Sequence, residues 1–199
     1  MHRIAVSICE SVLTELRTDM RVAWGITGAG DVIAEVIDAM AYLQNEVGMR
    51  IDVFVSKAGR QVLHWYRLWD RMNTLFPKVK VEVDANVPFI AGPLQVGKYD
   101  ALVVAPLSAN STAKIAHGIE DTLLTNAVAQ TLKGTTPVLL LPVDQRPGVT
   151  ETIAPDGSRV SIKTRSVDLE NVDRLRRMEG VRLAGSVSEL VDALKELIG

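Results

Sequence analysis

Short apolar runs alternate with amphipathic segments along most of this chain. Uninterrupted apolar runs are typical of strands buried inside a parallel sheet, and an apolar residue every three or four positions is typical of a helix packed on such a sheet. The predicted strands cover residues 21–26, 51–56, 79–83, 101–106 and 136–143. The predicted helices cover residues 31–47, 61–76 and 121–133, the last with Asp121 as its N-cap, and a C-terminal stripe from Val187 to Leu197.

This alternation predicts an α/β fold: a single doubly wound, Rossmann-like parallel sheet with helices on both faces. The pattern does not give the order of the strands. Residues 145–165 interrupt the rhythm, and the turn at Pro155-Asp156-Gly157 predicts an inserted β-hairpin flap. We expect residues 21–199 to form the domain and residues 1–20 to be an N-terminal extension. An alternative start at Met20 and a genuine short arm both fit the extension.

Composition and charge narrow the class of protein. The chain has 22 basic and 24 acidic residues and a formal net charge of −2, so no nucleic-acid partner is expected. No uncharged apolar run approaches the roughly 18 residues of a membrane span. Cys9 is the sole cysteine, and the N-terminus does not resemble a signal peptide, so a cytoplasmic protein is expected. The three scattered histidines do not predict a zinc site.

Ligands of open α/β sheets bind beyond the carboxyl ends of the strands, where four segments carry suitable chemistry. Gly25–Gly30, GITGAG, allows close approach of the backbone and precedes a helix N-terminus, which favours an anion. Its GxxGxG spacing is neither the dinucleotide motif nor a Walker A loop, so a tight turn explains it equally well. Ser56-Lys57 offers a hydroxyl and an ammonium group for a phosphate monoester, although a helix cap beside a solvated lysine is the simpler interpretation.

The other two segments follow the later apolar strands. Pro106–Lys114 is rich in small hydroxyl and amide residues, which leave room for a flat ligand and can hydrogen-bond its edge. Asp144 follows the last long strand, where a ligand contact and a turn cap are equally plausible roles. Trp65, Tyr66 and Trp69 are interpreted as core or subunit packing rather than as a stacking platform.

These segments together resemble the flavoprotein superfamily that includes the homo-oligomeric flavin-containing cysteine decarboxylases. The superfamily's Pro-Ala-Ser-Ala-Asn-Thr motif stands here as Pro106–Ser111, with Leu107 and Ser111 as mild changes. Its Gly-Ile-x-Asp motif follows as residues 118–121. The GITGAG and Val55-Ser56-Lys57 segments match the superfamily's loops for the FMN phosphate.

Departures from the superfamily pattern select a branch. The decarboxylases carry an active-site histidine before the strand that enters the motif, whereas Asp84–Phe89 and the residues through Tyr99 contain none. Pro142–Gln145 matches neither their Pro-x-Met-Asn motif nor the Pro-Arg-Glu of the prenyltransferases, so both activities lose support. The stretches RVAWGITGAGD, WYRLWD, VDANVPF, LQVGKYD, AKIAHGIEDTLLTNAVAQ and DLENVDRLRRMEG resemble the FMN-dependent dihydromethanopterin reductases and archaeal-type flavoproteins.

This resemblance implies an FMN-containing, homo-oligomeric reductase assembled as a trimer or a multiple of trimers. It would pass a hydride from NADPH or NADH through FMN to a dihydropterin, with dihydromethanopterin as the first choice, in a ping-pong cycle. The alternative is an electron-transfer flavoprotein that accepts electrons from ferredoxin, and cysteine decarboxylation ranks third. The implied cofactor-binding residues are Thr27, Gly28, Ala29, Gly30, Ser56, Lys57, Leu107, Ser108, Ala109, Asn110 and Ser111. The implied substrate contacts are Asn86 and Asp144, and no residue stands out as a proton donor.

Overall fold

A computed structural model describes residues 20–198 of the chain. Its strands are β1 (Arg21–Ile26), β2 (Arg50–Val55), β3 (Lys80–Val81), β4 (Ala101–Leu107), β5 (Val138–Pro142), β6 (Val149–Ile153), β7 (Arg159–Lys163) and β8 (Val181–Leu183). Its helices are α1 (Ile33–Asn45), α2 (Lys57–Trp65), α3 (Trp69–Leu75), α4 (Ala91–Gln95), α5 (Ala109–Ala116), α6 (Leu123–Thr131), α7 (Ser166–Arg176) and α8 (Val187–Glu196). The predicted extension lies outside the described residues except for Met20, as does Cys9.

Six of these strands form one parallel sheet in the order β3-β2-β1-β4-β5-β8. The predicted doubly wound α/β fold is therefore confirmed. The chain winds outward from β1 through β2 to β3, then returns to place β4 on the other side of β1. The sheet order thus reverses between β1 and β4. None of the helices within residues 20–198 is long and apolar enough to cross a membrane.

Both faces of the sheet are covered because successive side chains of a strand point to opposite faces. Trp24 and Val103 face one core layer, which is closed by α1, α2, α3 and α8. Ala23 and Val104 face the other layer, which is closed by α4, α5, α6 and α7. All seven residues of β4 are buried, as the wholly apolar sequence of a central strand requires.

The β6–β7 hairpin lies outside the main sheet, as predicted. Its strands pair antiparallel, and Gly157 in the connecting turn adopts a left-handed conformation with φ 87°. The Asp156 carboxylate accepts a hydrogen bond from the Ser158 amide at 2.9 Å. These turn residues are the chemical signal that identified the hairpin in the sequence.

Three boundaries differ from the prediction. The single helix predicted over residues 61–76 is two helices, α2 and α3, because Arg67 between them has φ 57°. The strand predicted over residues 79–83 keeps only two paired residues, because the Val83 amide instead donates to the Val87 carbonyl in a turn. The N-cap of α6 is Thr122 and not Asp121, whose carboxylate pairs with the Lys114 ammonium group at 2.8 Å.

Glu82, immediately after β3, connects two helices from a buried position. One carboxylate oxygen accepts the Lys57 amide at the start of α2 at 2.9 Å, and the other accepts the Leu123 amide at the start of α6 at 2.8 Å. Helix N-termini carry unpaired N–H groups and a partial positive charge, which a carboxylate satisfies. Glu82 therefore fixes α2, which begins at the predicted ligand edge, relative to α6.

We predict that Glu82→Gln lowers the free energy of unfolding by about 1–3 kcal/mol, because an amide retains one acceptor and presents a donor to a second helix N–H. Urea unfolding followed by far-UV circular dichroism measures the loss. Glu179→Gln, at an exposed position, is the matched control. Equal midpoints for the two variants would contradict the role assigned to Glu82.

Candidate functional site

The carboxyl ends of β1 and β4 are adjacent at the point where the sheet order reverses. A crevice opens at such a point because the connections leaving the two strands turn to opposite faces of the sheet. Here the loop of residues 27–32 leaves β1 for α1, and Ser108 leaves β4 for α5. The predicted glycine-rich and hydroxyl-rich segments are therefore neighbours in space.

The Thr27 hydroxyl joins these two segments. Its Oγ1 donates to the Pro106 carbonyl at 2.8 Å and accepts from the Ser108 amide at 2.7 Å. The Thr27 amide also donates to the Pro106 carbonyl, at 3.2 Å. Thr27 is buried, so these bonds are sheltered from water and set the separation of the two loops.

The start of α2 packs against the same loop. The Ser56 hydroxyl caps α2 by accepting the Gly59 amide at 2.9 Å, and the Ser56 amide donates to the Ile26 carbonyl at 3.0 Å. A Cβ atom at Gly28 would lie 2.6 Å from the Ala58 Cβ atom. Glycine at position 28 is thus required for this close packing, and Ser56 and the exposed Lys57 are brought beside the glycine-rich loop.

The 27–32 loop presents unpaired backbone donors. Ala29 donates to the Thr27 carbonyl and Ile33 to the Gly30 carbonyl, whereas the amides of Gly28, Gly30 and Asp31 have no acceptor among residues 20–198. Free amides in front of a helix N-terminus are suited to a phosphate group. The sequence predicted this property, and the late start of α1 at Ile33 extends the stretch of free donors.

The β4–α5 junction supplies hydroxyl and amide groups. The Ser108 hydroxyl caps α5, accepting the Ser111 amide at 3.4 Å, and donates to the Ser111 hydroxyl at 3.2 Å. Asn110 is exposed, and the buried Thr112 Oγ1 has no hydrogen-bond partner among the described residues. The Leu107 side chain lies fully inside the core, which leaves only its backbone at the edge of the crevice.

A cavity of about 730 Å³ adjoins the glycine-rich loop. Its walls are the 27–32 loop and start of α1, the segment that follows β5, the β6–β7 hairpin and the start of α8. Gly30 and Asp144 both line it. The paired hairpin residues Thr150 and Ile162 also line it, so one face of the hairpin forms its roof.

Asn86 lies elsewhere. It is not among the residues lining the cavity, and its side-chain oxygen accepts the Asn126 amide group at 3.0 Å. The structure therefore brings together the predicted loop residues and Asp144 but not Asn86 within one chain.

Tyr66 is a wall residue that the sequence pattern did not single out from its aromatic neighbours. Its hydroxyl donates to the Ile153 carbonyl of the hairpin at 3.0 Å, and a Cβ atom at Gly30 would overlap the Tyr66 ring. Burial, and then the Asp31 carboxylate, raise the pKa of Tyr66 above its ordinary value. Nearby, His64 stacks on Trp69, with ring centroids 5.0 Å apart. Tyr66 and Trp69 pack against the core, whereas Trp65 is exposed.

Asp144 has an altered acidity. Burial is the main cause that raises the pKa of its carboxyl group, and the nearby Asp168 and Asp31 carboxylates raise the pKa further. Arg165 opposes these effects but is engaged with Asp168 through two hydrogen bonds, at 2.9 and 2.7 Å. The cavity therefore contains a carboxyl group that holds its proton to higher pH than an ordinary aspartate.

These features define a Rossmann-like α/β protein with an anion-receptive loop and an adjoining cavity at the switch point of its sheet. A profile of the Flavoprotein family matches residues 10–196. The chain belongs to the Flavoprotein family, which confirms the superfamily expected from the sequence motifs.

Individual relatives refine this assignment. An uncharacterized protein of Methanocaldococcus jannaschii is 48% identical over 164 residues, which are 82% of this chain and 88% of that protein. A dihydromethanopterin reductase (acceptor) of the same organism is 35% identical over 144 residues, which are 69% of this chain but 58% of the reductase. This chain thus spans little more than half of that reductase.

Solved structures agree with the family assignment. Burkholderia xenovorans DmrB in complex with FMN, described as a cubic protein cage for redox transfer, is similar with a TM-score of 0.76 and 37% identity. The match covers 90% of this chain and 96% of DmrB. The FMN-dependent cysteine decarboxylase TvaF, at 22% identity and a TM-score of 0.61, shares the fold.

We predict that Thr27→Val lowers the free energy of unfolding by about 1–3 kcal/mol, because the Ser108 amide loses its acceptor in a buried position. Thr27→Ser keeps the hydroxyl and is the matched control. Thermal unfolding of the two variants and the parent protein measures the difference. A Thr27→Val variant as stable as Thr27→Ser would show that the bridge does not hold the two loops together.

Proposed function

We propose that this protein is an FMN-dependent oxidoreductase that reduces a dihydropterin with electrons from NADPH or NADH. The observation that carries the proposal is the junction of an anion-receptive loop with a cavity at the switch point of the sheet. The similarity to dihydromethanopterin reductase and to FMN-bound DmrB supports the same class of reaction.

The residues at this junction fit FMN. The free amides of Gly28 and Gly30, with Ser56 and Lys57, provide donors and a positive charge for its phosphate group. Ser108–Ser111 supplies hydroxyl and amide groups for the edge of the planar ring, and small side chains there leave room for it. When bound, FMN supplies two-electron redox chemistry, while the protein supplies position and electrostatics.

The size of the cavity supports a ping-pong cycle. Its volume of about 730 Å³ is within the range of a site for one small molecule. We infer that the nicotinamide and the dihydropterin enter in turn rather than together. The Asp31 carboxylate on the wall is an acceptor for the N–H groups of a pterin ring, and the Asp144 carboxyl group contacts the same ring. The hairpin roof limits the access of water to the reacting atoms.

We further propose that the protein is a homo-oligomer built from trimers. Exposed apolar side chains cluster along one short stretch: Val83, Val87, Phe89 and Val96. Apolar patches of this kind mark subunit contacts. Asn86 lies within the stretch, so its predicted substrate contact would be made to a neighbouring subunit's cavity.

The first test uses the visible spectrum. We predict that the purified protein is yellow or becomes so on addition of FMN, that anaerobic NADPH or NADH bleaches it, and that a dihydropterin then restores the colour. Each half-reaction proceeds alone because the cycle is ping-pong. Stopped-flow absorbance measures both steps.

Two results would contradict the proposal. Failure of the purified protein to bind FMN would exclude FMN as its cofactor. Bleaching of the flavin by reduced ferredoxin but not by NADPH or NADH would favour the electron-transfer alternative. Ser108→Trp should lower flavin content because its ring fills the space beside the crevice. Trp65→Phe, at a side chain that is 55% exposed, is a control for the effect of changing an aromatic residue.

A further inference from the structure

Two partly buried carboxyl groups, Asp31 and Asp144, line the cavity. Neither side chain has a hydrogen-bond partner among residues 20–198. Within the same residues, no cluster of histidine, cysteine, aspartate and glutamate could hold a metal ion. Each of these partly buried carboxyl groups is therefore available to a ligand bound in the cavity.

The residues on both sides of Asp144 are anchored to the ends of strands. The Val143 amide donates to the Leu107 carbonyl at 3.1 Å, which ties the segment to the exit of β4. The Gln145 side-chain amide donates to the Pro142 carbonyl at 2.9 Å and to the Ala184 carbonyl at 3.0 Å, which ties it to the exit of β8. These bonds hold the segment that carries Asp144 at the exits of β4, β5 and β8.

Its surroundings favour the protonated form. Asp31 on the 27–32 loop and Asp168 on α7 are negative. The guanidinium group of Arg165, at the N-cap of α7, is paired with Asp168. The remaining charged residues of the cavity wall are Glu35, Glu151 and Arg146. Burial, then Asp168 and then Asp31 raise the pKa of the Asp144 carboxyl group, and Arg165 opposes them.

The hydroxyl groups of the wall are poorer acids than a carboxyl group. The Tyr66 hydroxyl donates a hydrogen bond to the Ile153 carbonyl, and the pKa of Tyr66 is raised. Thr150 and Thr152 carry alcohols, which do not release a proton near neutral pH, and no histidine lines the cavity. Asp144 therefore combines a place on the cavity wall, an anchored segment and a raised pKa.

We propose that Asp144 is the catalytic acid of the substrate half-reaction. The inference rests on the proposed function. The substrate's C=N bond gains a hydride at carbon from the reduced flavin, which leaves the flavin oxidised, and a proton at nitrogen from the Asp144 carboxyl group. The π bond of C=N is lost, and the Asp144 carboxylate regains its proton from water before the next turnover.

The test is the rate at which dihydropterin reoxidises the anaerobically reduced, flavin-loaded protein between pH 4 and 9. In the parent protein the rate should fall as pH rises through the raised pKa, because only the protonated carboxyl group donates. Asp144→Asn should be slower by about 10²-fold or more and independent of pH in that range. Asp144→Glu should recover part of the rate and the pH dependence.

Asp192→Asn, at an exposed position on α8, is the matched control and should keep the parent profile. Reduction by NADPH or NADH needs no proton at the substrate nitrogen, so Asp144→Asn should slow it far less than reoxidation. Flavin content and thermal unfolding of the variants check that they fold.

A second readout does not depend on turnover. Carbon-13 NMR of labelled aspartate in the oxidised, flavin-loaded protein should show the Asp144 carboxyl group titrating above an ordinary aspartate, and Asp31→Asn should lower that pKa. An ordinary titration, or an Asp144→Asn variant with the parent rate and pH profile, would overturn the assignment while leaving the reductase intact. A parent protein that dihydropterin fails to reoxidise would overturn the proposed function, and the assignment with it.

Discussion

The buried hydroxyl of Thr27 holds together the two strand exits on which the site depends. It accepts from the Ser108 amide and donates to the Pro106 carbonyl, so the glycine-rich loop and the hydroxyl-rich loop keep one separation. A sheet whose order reverses between β1 and β4 opens a crevice there in any case. The threonine bridge converts that general crevice into a defined space with amides on one side and serine hydroxyls on the other.

Helix N-termini around this space are used in two ways. The first amide of α2 is satisfied internally by Glu82, which also satisfies α6. The amides of Gly28, Gly30 and Asp31 have no such partner among the described residues. We infer that positive potential for a phosphate comes from the 27–32 loop and the Lys57 side chain rather than from the α2 backbone. The Asp31 and Asp144 carboxyl groups line the adjoining cavity.

Local patterns were sufficient for much of the fold. Apolar runs located the buried strands, and Pro155-Asp156-Gly157 located the hairpin, because both signals arise from short-range chemistry. The break at Arg67 was not predictable, because arginine in a left-handed conformation has no local signature. The order of the strands in the sheet was not predictable either, since it depends on which strands meet after folding.

The site was predictable where it followed strand ends and not where it depended on long-range contacts. Asp144 was found from its position after β5, whereas its raised pKa comes first from burial and then from Asp168 and Asp31, which are distant in sequence. Glu82 carried no recognisable motif, since its two partners lie 25 and 41 residues away. A single acidic residue after a short strand has too many possible roles for a sequence pattern to distinguish.

We propose that FMN binds at the switch point through the free amides of the 27–32 loop. Hydrogen–deuterium exchange with and without FMN tests it most directly, because an amide that binds a phosphate exchanges more slowly. We expect slower exchange concentrated in Gly28–Asp31 and Ser108–Ser111 when FMN is added. Protection confined to other segments, or no change in these two, would contradict it.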